Sequence, residues 1–128
     1  MVLLSESQVQ TLQAVVDRII PKDDFPSGSE AGCVDFLLKL IADESLESFY
    51  ISGLNEVESK SLKFGSLFKD LPIKRQDSIL DALSHSSGTR KFVLTIARQT
   101  IEGYYSDPGN GANKESLAWE MIGFKVTA

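Results

Sequence analysis

The chain of 128 residues is 42% hydrophobic and 24% charged, with a net charge of −5; these are ordinary globular values that exclude a disordered or fibrous class. One domain of this length, residues 1–128, removes about two thirds of its unfolded-chain surface from water, so a core can form without metal or disulfide staples. No apolar run reaches the length of a membrane span, and the acidic balance, with the 13 basic residues read as dispersed, excludes nucleic acid, whose phosphates need clustered Lys and Arg.

The amino terminus, MVLLSESQ, has no basic region, long apolar segment or cleavage signal. The chain is therefore expected either to remain in the cytoplasm or to be numbered from after a removed leader. Ser5 with Gln8 forms a capping-box pattern, and Val9, Leu12, Val15, Val16, Ile19 and Ile20 recur at helical spacing, which predicts a first helix over 5–20. Pro21 stops it. The next segment, KDDFPSGSE, is loop chemistry, and its adjacent Asp23 and Asp24 are read as solvated or capping rather than as cation ligands.

Ser29 and Glu30 are expected to open a second helix, in which Val34, Phe36, Leu37, Leu38, Leu40 and Ile41 cover more than half the circumference. Such a helix should be buried on several sides. Cys33, the single cysteine, excludes an internal disulfide and reads as inert core. Asp43 to Ser45 breaks the pattern, and Leu46, Phe49, Tyr50, Leu54 and Val57 mark a third helix to about Ser61. A linker with Phe64, Gly65, Leu67, Phe68 and Leu71 follows, in which Asp70 and Pro72 are placed as cap and early helical residue of a fourth helix over 72–84.

His85, the only histidine, falls at the carboxyl end of that helix, where a capping role is expected. A fifth helix opens near Thr89, and Phe92, Val93, Ile96, Ala97, Thr100, Ile101 and Tyr104 form one continuous face. It leads into YYSDPGNGANKESLAWEMIGF, Tyr104 to Phe124, which holds two of the three Tyr and the only Trp. Ser106 to Gly111 is a dense turn signal. GNGANK is not a dinucleotide loop: the third glycine position is Lys114, and a helix precedes it. Asp107, Asn110 and Asn113 lack calcium-loop register and are expected to bond the loop's own amides and cap a short helix over 114–121. The fold expected is all-α, a bundle of about five helices with an irregular Gly/Asp/Asn loop and a short carboxyl-terminal helix.

Catalytic signals are weak throughout. A nucleophile needs a base in reach, and the single His sits in a Ser/Gly turn; metal sites need clustered Cys, His or carboxylates; and the chain has no CxxCH for haem attachment and no set of four Cys for an iron–sulfur cluster. No catalytic, cofactor-binding or metal-ligating residue is therefore assigned. Trp119, Met121, Ile122 and Phe124 supply apolar area at the chain's end, and Trp119 taken alone reads first as core or lid. The aromatic, turn-rich stretch as a whole reads as a protein-contact surface, because Tyr and Trp dominate interface hot spots, and the residues assigned to it are Tyr104, Tyr105, Asp107, Pro108, Asn113, Trp119 and Phe124.

Two blocks of sequence carry a resemblance. The first is Arg18-Ile19-Ile20-Pro21, Asp23-Asp24, Pro26, Glu30-Ala31-Gly32 and Val34-Asp35-Phe36. The second is Glu102-Gly103-Tyr104-Tyr105-Ser106-Asp107-Pro108, then Asn110-Gly111, Asn113, Trp119 and Ile122-Gly123-Phe124. In this order they resemble the gluconate 2-dehydrogenase subunit 3 family.

The resemblance implies a non-catalytic helical accessory subunit of a membrane-associated sugar or polyol dehydrogenase. It further implies a large partner subunit that carries FAD and oxidises the substrate, and in many complexes a cytochrome c subunit that carries haem c. The small subunit's implied role is to support folding, export or assembly of the flavoprotein, often through a twin-arginine leader that serves both. The implied place is the periplasm or the periplasmic face of the inner membrane for a mature form, and the cytoplasm otherwise. Three features depart from the family pattern: no twin-arginine leader, Ala112 where a second glycine is frequent, and the tail Lys125 to Ala128 without Pro-Gly. The alternative reading is a stand-alone helical scaffold or small-ligand module that keeps the fold without the oxidoreductase.

Overall fold

The computed structural model describes residues 4–106. The first helix, α1, spans Glu6–Ile19. Ser5 starts it as expected: its Oγ accepts from Gln8 N at 3.2 Å, while Gln8 Oε1 accepts from Ser5 N at 2.8 Å, so two orphan amides are satisfied reciprocally. Leu12, Val15, Val16 and Ile19 turn inward.

Helix α2 runs over Cys33–Asp43, not from Ser29. Residues 28–32 are turns, and Gly32 takes the N-cap position at φ +87°, a left-handed conformation that a Cβ would penalise. The reason lies in what Ser29 and Glu30 bind. Ser29 is held by the Asp17 side chain and Glu30 folds back on Ser27, so neither extends the helix. Burial of α2 is also narrower than expected. Cys33, Leu37 and Ile41 form the one fully buried row, while Val34, Phe36, Leu38 and Leu40 are half-buried beside it.

Helix α3 spans Glu47–Leu62 and buries Tyr50, Gly53, Leu54, Val57 and Ser61. It is reached through Ser45, which sits at φ +57°. A 3-10 turn over Phe68–Asp70 interrupts the next connection. Glu58 of α3 holds that turn in place: one carboxylate oxygen accepts from Phe68 N at 3.1 Å and the other from Thr11 Oγ1 at 2.6 Å. Gln76 Nε2 donates to Phe68 O at 2.7 Å from the other side.

Helix α4 covers Ile73–Ser84. Pro72 is its N-cap rather than a residue inside it, with ψ 149°; its carbonyl accepts from Arg75 N and Gln76 N at 2.9 and 3.0 Å. Asp70 does not cap; it lies in the 3-10 turn and pairs with Lys69 at 3.4 Å. His85 is the C-cap, its Nδ1 2.8 Å from Asp81 O, as the sequence places it.

Helix α5 spans Arg90–Ser106 and packs against all four other helices. All seven residues of its expected apolar face, Phe92 through Tyr104, are buried. Around it the buried side chains form one cluster, with Tyr50 and Phe92 meeting edge to face at 5.6 Å and Phe49 beside both. Gly53 makes room for the Phe92 ring, since a Cβ there would run into it. Arg18 ties α1 to α4 through a two-pronged pair with Asp77, at 2.8 and 3.1 Å. The described residues thus hold five α-helices and no strand, and no described helix is long and apolar enough to cross a membrane. The expected Gly/Asp/Asn loop and the helix over 114–121 lie outside the described residues.

Candidate functional site

The carboxyl end of α5 meets the α1–α2 connection, and the two sequence blocks that stand far apart in the chain come together there. Tyr104 is buried, 2% exposed, and its hydroxyl donates to Pro26 O at 3.1 Å across 78 positions. Burial, followed by the charges of Asp23 and Cys33, pushes its phenol pKa up. One residue earlier, Gly103 faces Phe36 so closely that a Cβ would stand 2.6 Å from ring carbon Cδ2. Only glycine lets α5 approach α2 at this point. Tyr105 is half-buried and meets the Tyr104 ring edge to face at 5.3 Å.

The connection itself is fixed by hydrogen bonds rather than by regular structure. Asp17 accepts from Ser29 N and Ser29 Oγ, both at 2.8 Å. Glu30 accepts from Ser27 N at 3.0 Å and pairs with Lys22 at 3.0 Å; these partners, the Ser27 amide first, lower its pKa. Gly28 N donates to Ile20 O at 2.8 Å, and a Cβ at Gly28 would stand 2.5 Å from Val16 Cγ1. Asp23 Oδ1 accepts from Phe25 N at 2.9 Å, the local turn bond expected of a loop aspartate. Asp24 is exposed.

Cys33 begins α2 directly beneath this loop, fully buried, with Sγ 3.5 Å from Thr100 O. Burial, with Asp17 adding to it, pushes its thiol up to about 12. A buried thiol held protonated in this way is a poor nucleophile at neutral pH.

Of the seven residues assigned to partner contact, Tyr104 and Tyr105 fall in this junction. Asp107, Pro108, Asn113, Trp119 and Phe124 lie outside the described residues. The sequence gives no site role to Asp17, Ser29 or Gly103: Asp17 sits at an ordinary polar position of α1, and nothing in its spacing announces a bond 12 residues away. Gly103 had a signal, being a glycine inside a regular helical pattern.

Chemically the junction is a structural clamp. Its polar groups bond one another, and among the described residues no three His, Cys, Asp or Glu side chains are grouped to hold a metal. A shallow groove elsewhere, between the first turn of α1 and α3, is lined by Thr11, Leu54, Glu58 and Leu67 among others and encloses about 130 Å³, below the range of about 300–1,000 Å³ typical of cofactor sites.

A comparison with protein-family models matches the description gluconate 2-dehydrogenase subunit 3 over residues 6–125. The chain belongs to the gluconate 2-dehydrogenase subunit 3 family. Its role at that level is an accessory subunit's. Searches of curated proteins and of solved structures return no match. The family match spans both blocks, and within the described residues the structure shows why they belong together: Pro26 and Phe36 from the first contact Tyr104 and Gly103 from the second.

Proposed function

We propose that this subunit 3 family member binds the large FAD-carrying subunit of a sugar or polyol dehydrogenase and supports its folding, assembly or export. The observation that carries this reading is the family match, which runs over residues 6–125 and so takes in nearly the whole chain rather than one motif. FAD, and haem c where a cytochrome c subunit is present, belong to the partners in this reading. The contact runs through the segment that continues α5: Tyr105, Asp107, Pro108, Asn113, Trp119 and Phe124, with buried Tyr104 holding its base to the α1–α2 connection.

The test is co-purification. A tagged chain expressed in its native cell is recovered from soluble and membrane fractions, with periplasm and cytoplasm separated, and its companions are identified. A flavin-containing dehydrogenase is expected in the eluate. Trp119→Ala and Tyr105→Ala are expected to reduce its yield severalfold while leaving helix content intact, as central aromatic truncations commonly cost 2 kcal/mol or more of binding, about thirtyfold in affinity. Recovery of the chain alone overturns the reading in favour of a stand-alone scaffold. Loss of helix content in the two variants places those residues in the core instead.

A further inference from the structure

The connection between α3 and α4 does not fit the expectation of dispersed basic residues. Between Lys60 and Arg75 the chain places five of its 13 basic residues, Lys60, Lys63, Lys69, Lys74 and Arg75, against the single acid Asp70. This stretch is therefore net positive by four in a chain of net charge −5. Asp70 is taken up by Lys69 at 3.4 Å, and the nearby Asp77 by Arg18 at 2.8 Å. Among the described residues no carboxylate pairs with Lys60, Lys63 or Lys74.

The same stretch, from the last turn of α3 to the first turn of α4, holds all four large hydrophobic side chains that are exposed among the described residues: Leu62 at 58%, Phe64 at 50%, Leu67 at 43% and Ile73 at 58%. Their exposure does not come from a loose loop. Phe68 is fully buried and its amide and carbonyl are bonded to Glu58 and Gln76, while Leu71 turns inward beside it. The connection is pinned from within and presents its remaining apolar side chains outward. Gly65, at φ +92°, makes the turn between Phe64 and Leu67, and the Arg75 guanidinium lies over the Phe64 ring at 4.1 Å, joining the two ends of the segment.

We propose that this end of the bundle is a peripheral membrane-contact surface that binds anionic phospholipid. Aliphatic and aromatic side chains enter the headgroup and acyl boundary, and the lysines engage lipid phosphates around them. Lys and Arg stems are themselves apolar, so their heads reach the phosphate level while the stems extend the inserted surface. Composition favours lipid over a protein partner, because lysine is depleted in protein interfaces. It favours lipid over nucleic acid because Leu62, Leu67 and Ile73 offer no ring for a base to stack on, and the Phe64 ring beside them is covered by the Arg75 guanidinium. The surface is separate from the α5 junction, and its test needs no partner subunit, so it stands or falls apart from the proposed accessory role.

The experiment is sedimentation of the purified full chain with vesicles of phosphatidylcholine alone, and of phosphatidylcholine with phosphatidylglycerol as the minor component. Binding is expected to the anionic vesicles only and to fall as salt shortens the screening length. Lys63→Glu with Lys74→Glu is expected to lower the partition at least about tenfold, and Phe64→Ser with Ile73→Ser to lower it without changing its salt dependence. All four positions are exposed, so helix content and thermal midpoint should match those of the unchanged chain and exclude misfolding as the cause. No binding to anionic vesicles, equal binding to neutral ones, or binding untouched by both variant pairs overturns the proposal. If vesicle binding is absent and the lysine variants instead abolish co-purification of a dehydrogenase, the surface is a protein-docking face.

Discussion

Phe36 of α2 packs its ring onto the bare backbone of Gly103 in α5, at a point where a Cβ would lie 2.6 Å from Cδ2. Gly103→Ala therefore inserts a methyl where no space exists, a change that costs about 1–3 kcal/mol by overpacking, against a gain of about 1 kcal/mol in helix propensity. Net destabilisation is expected in urea unfolding. Phe36→Ala removes the obstacle, so the double variant should be more stable than the sum of the two losses predicts; strict additivity would show that the two residues are not in opposition.

Tyr104 bonds Pro26 O from the end of α5. Tyr104→Phe keeps the buried ring and deletes the donor, with an expected loss of about 0.5–1.5 kcal/mol. Limited proteolysis should then cut the α1–α2 connection faster than in the unchanged protein. A cleavage rate that does not move would mean the connection is held without this bond.

Asp17 is the acceptor for both the amide and the hydroxyl of Ser29. Bonds to a charged acceptor are the stronger kind, and Asp17→Ala leaves the half-buried Ser29 groups to find water. The expected cost is about 1–3 kcal/mol, with Asp17→Asn intermediate because it retains one acceptor oxygen. Equal stability of all three proteins in chemical denaturation would remove Asp17 from the clamp.

Alkaline pH should act first through Cys33. Its folded thiol is pushed up to about 12 from an ordinary 9.0, so the protonated form is favoured by folding. The associated stability is fully present below pH 9.0 and is lost progressively as pH rises toward 12. Tyr50 and Tyr104, both raised from 10.0 mainly by burial, add their losses above that value. Cys33→Ala should flatten the fall in unfolding free energy between pH 9 and 10, and the native thiol should react with iodoacetamide far more slowly than the urea-unfolded one. Rapid labelling of the folded chain would contradict the burial.

Thr100 is fully buried, and among the described residues nothing bonds its Oγ1, although its carbonyl receives the Cys33 thiol. An unpaired buried hydroxyl costs about 1–3 kcal/mol. Thr100→Val replaces it with a methyl of similar shape and is expected to hold or raise the thermal midpoint. A drop of several degrees would reveal a bond to the hydroxyl.

Much of the bundle was legible because its signals are local. The capping box of Ser5 and Gln8, the stop at Pro21, the glycine-marked connection at Gly65 and the seven-residue face of α5 each follow from a period or a side chain acting within one turn, and each stands where the sequence puts it. The family resemblance was legible for the same reason, since its two blocks are runs of residues and the match covers both.

What sequence could not decide were the choices that depend on a distant partner. Ser29 and Glu30 have the composition of a helix start, but Asp17 and Ser27 compete for them and the helix begins at Cys33 instead. Pro72 and Asp70 were placed one role away from their true ones because the carbonyl of Pro72, rather than the side chain of Asp70, begins α4. Phe64, Leu67, Phe68 and Leu71 look alike along the chain; only Glu58 and Gln76, reaching from α3 and α4, select Phe68 for the core and leave Phe64 and Leu67 outside. Composition and period determine which residues can be buried. Which of them are buried is settled when the helices meet, because each core position admits one side chain and the polar bonds around it fix which one that is.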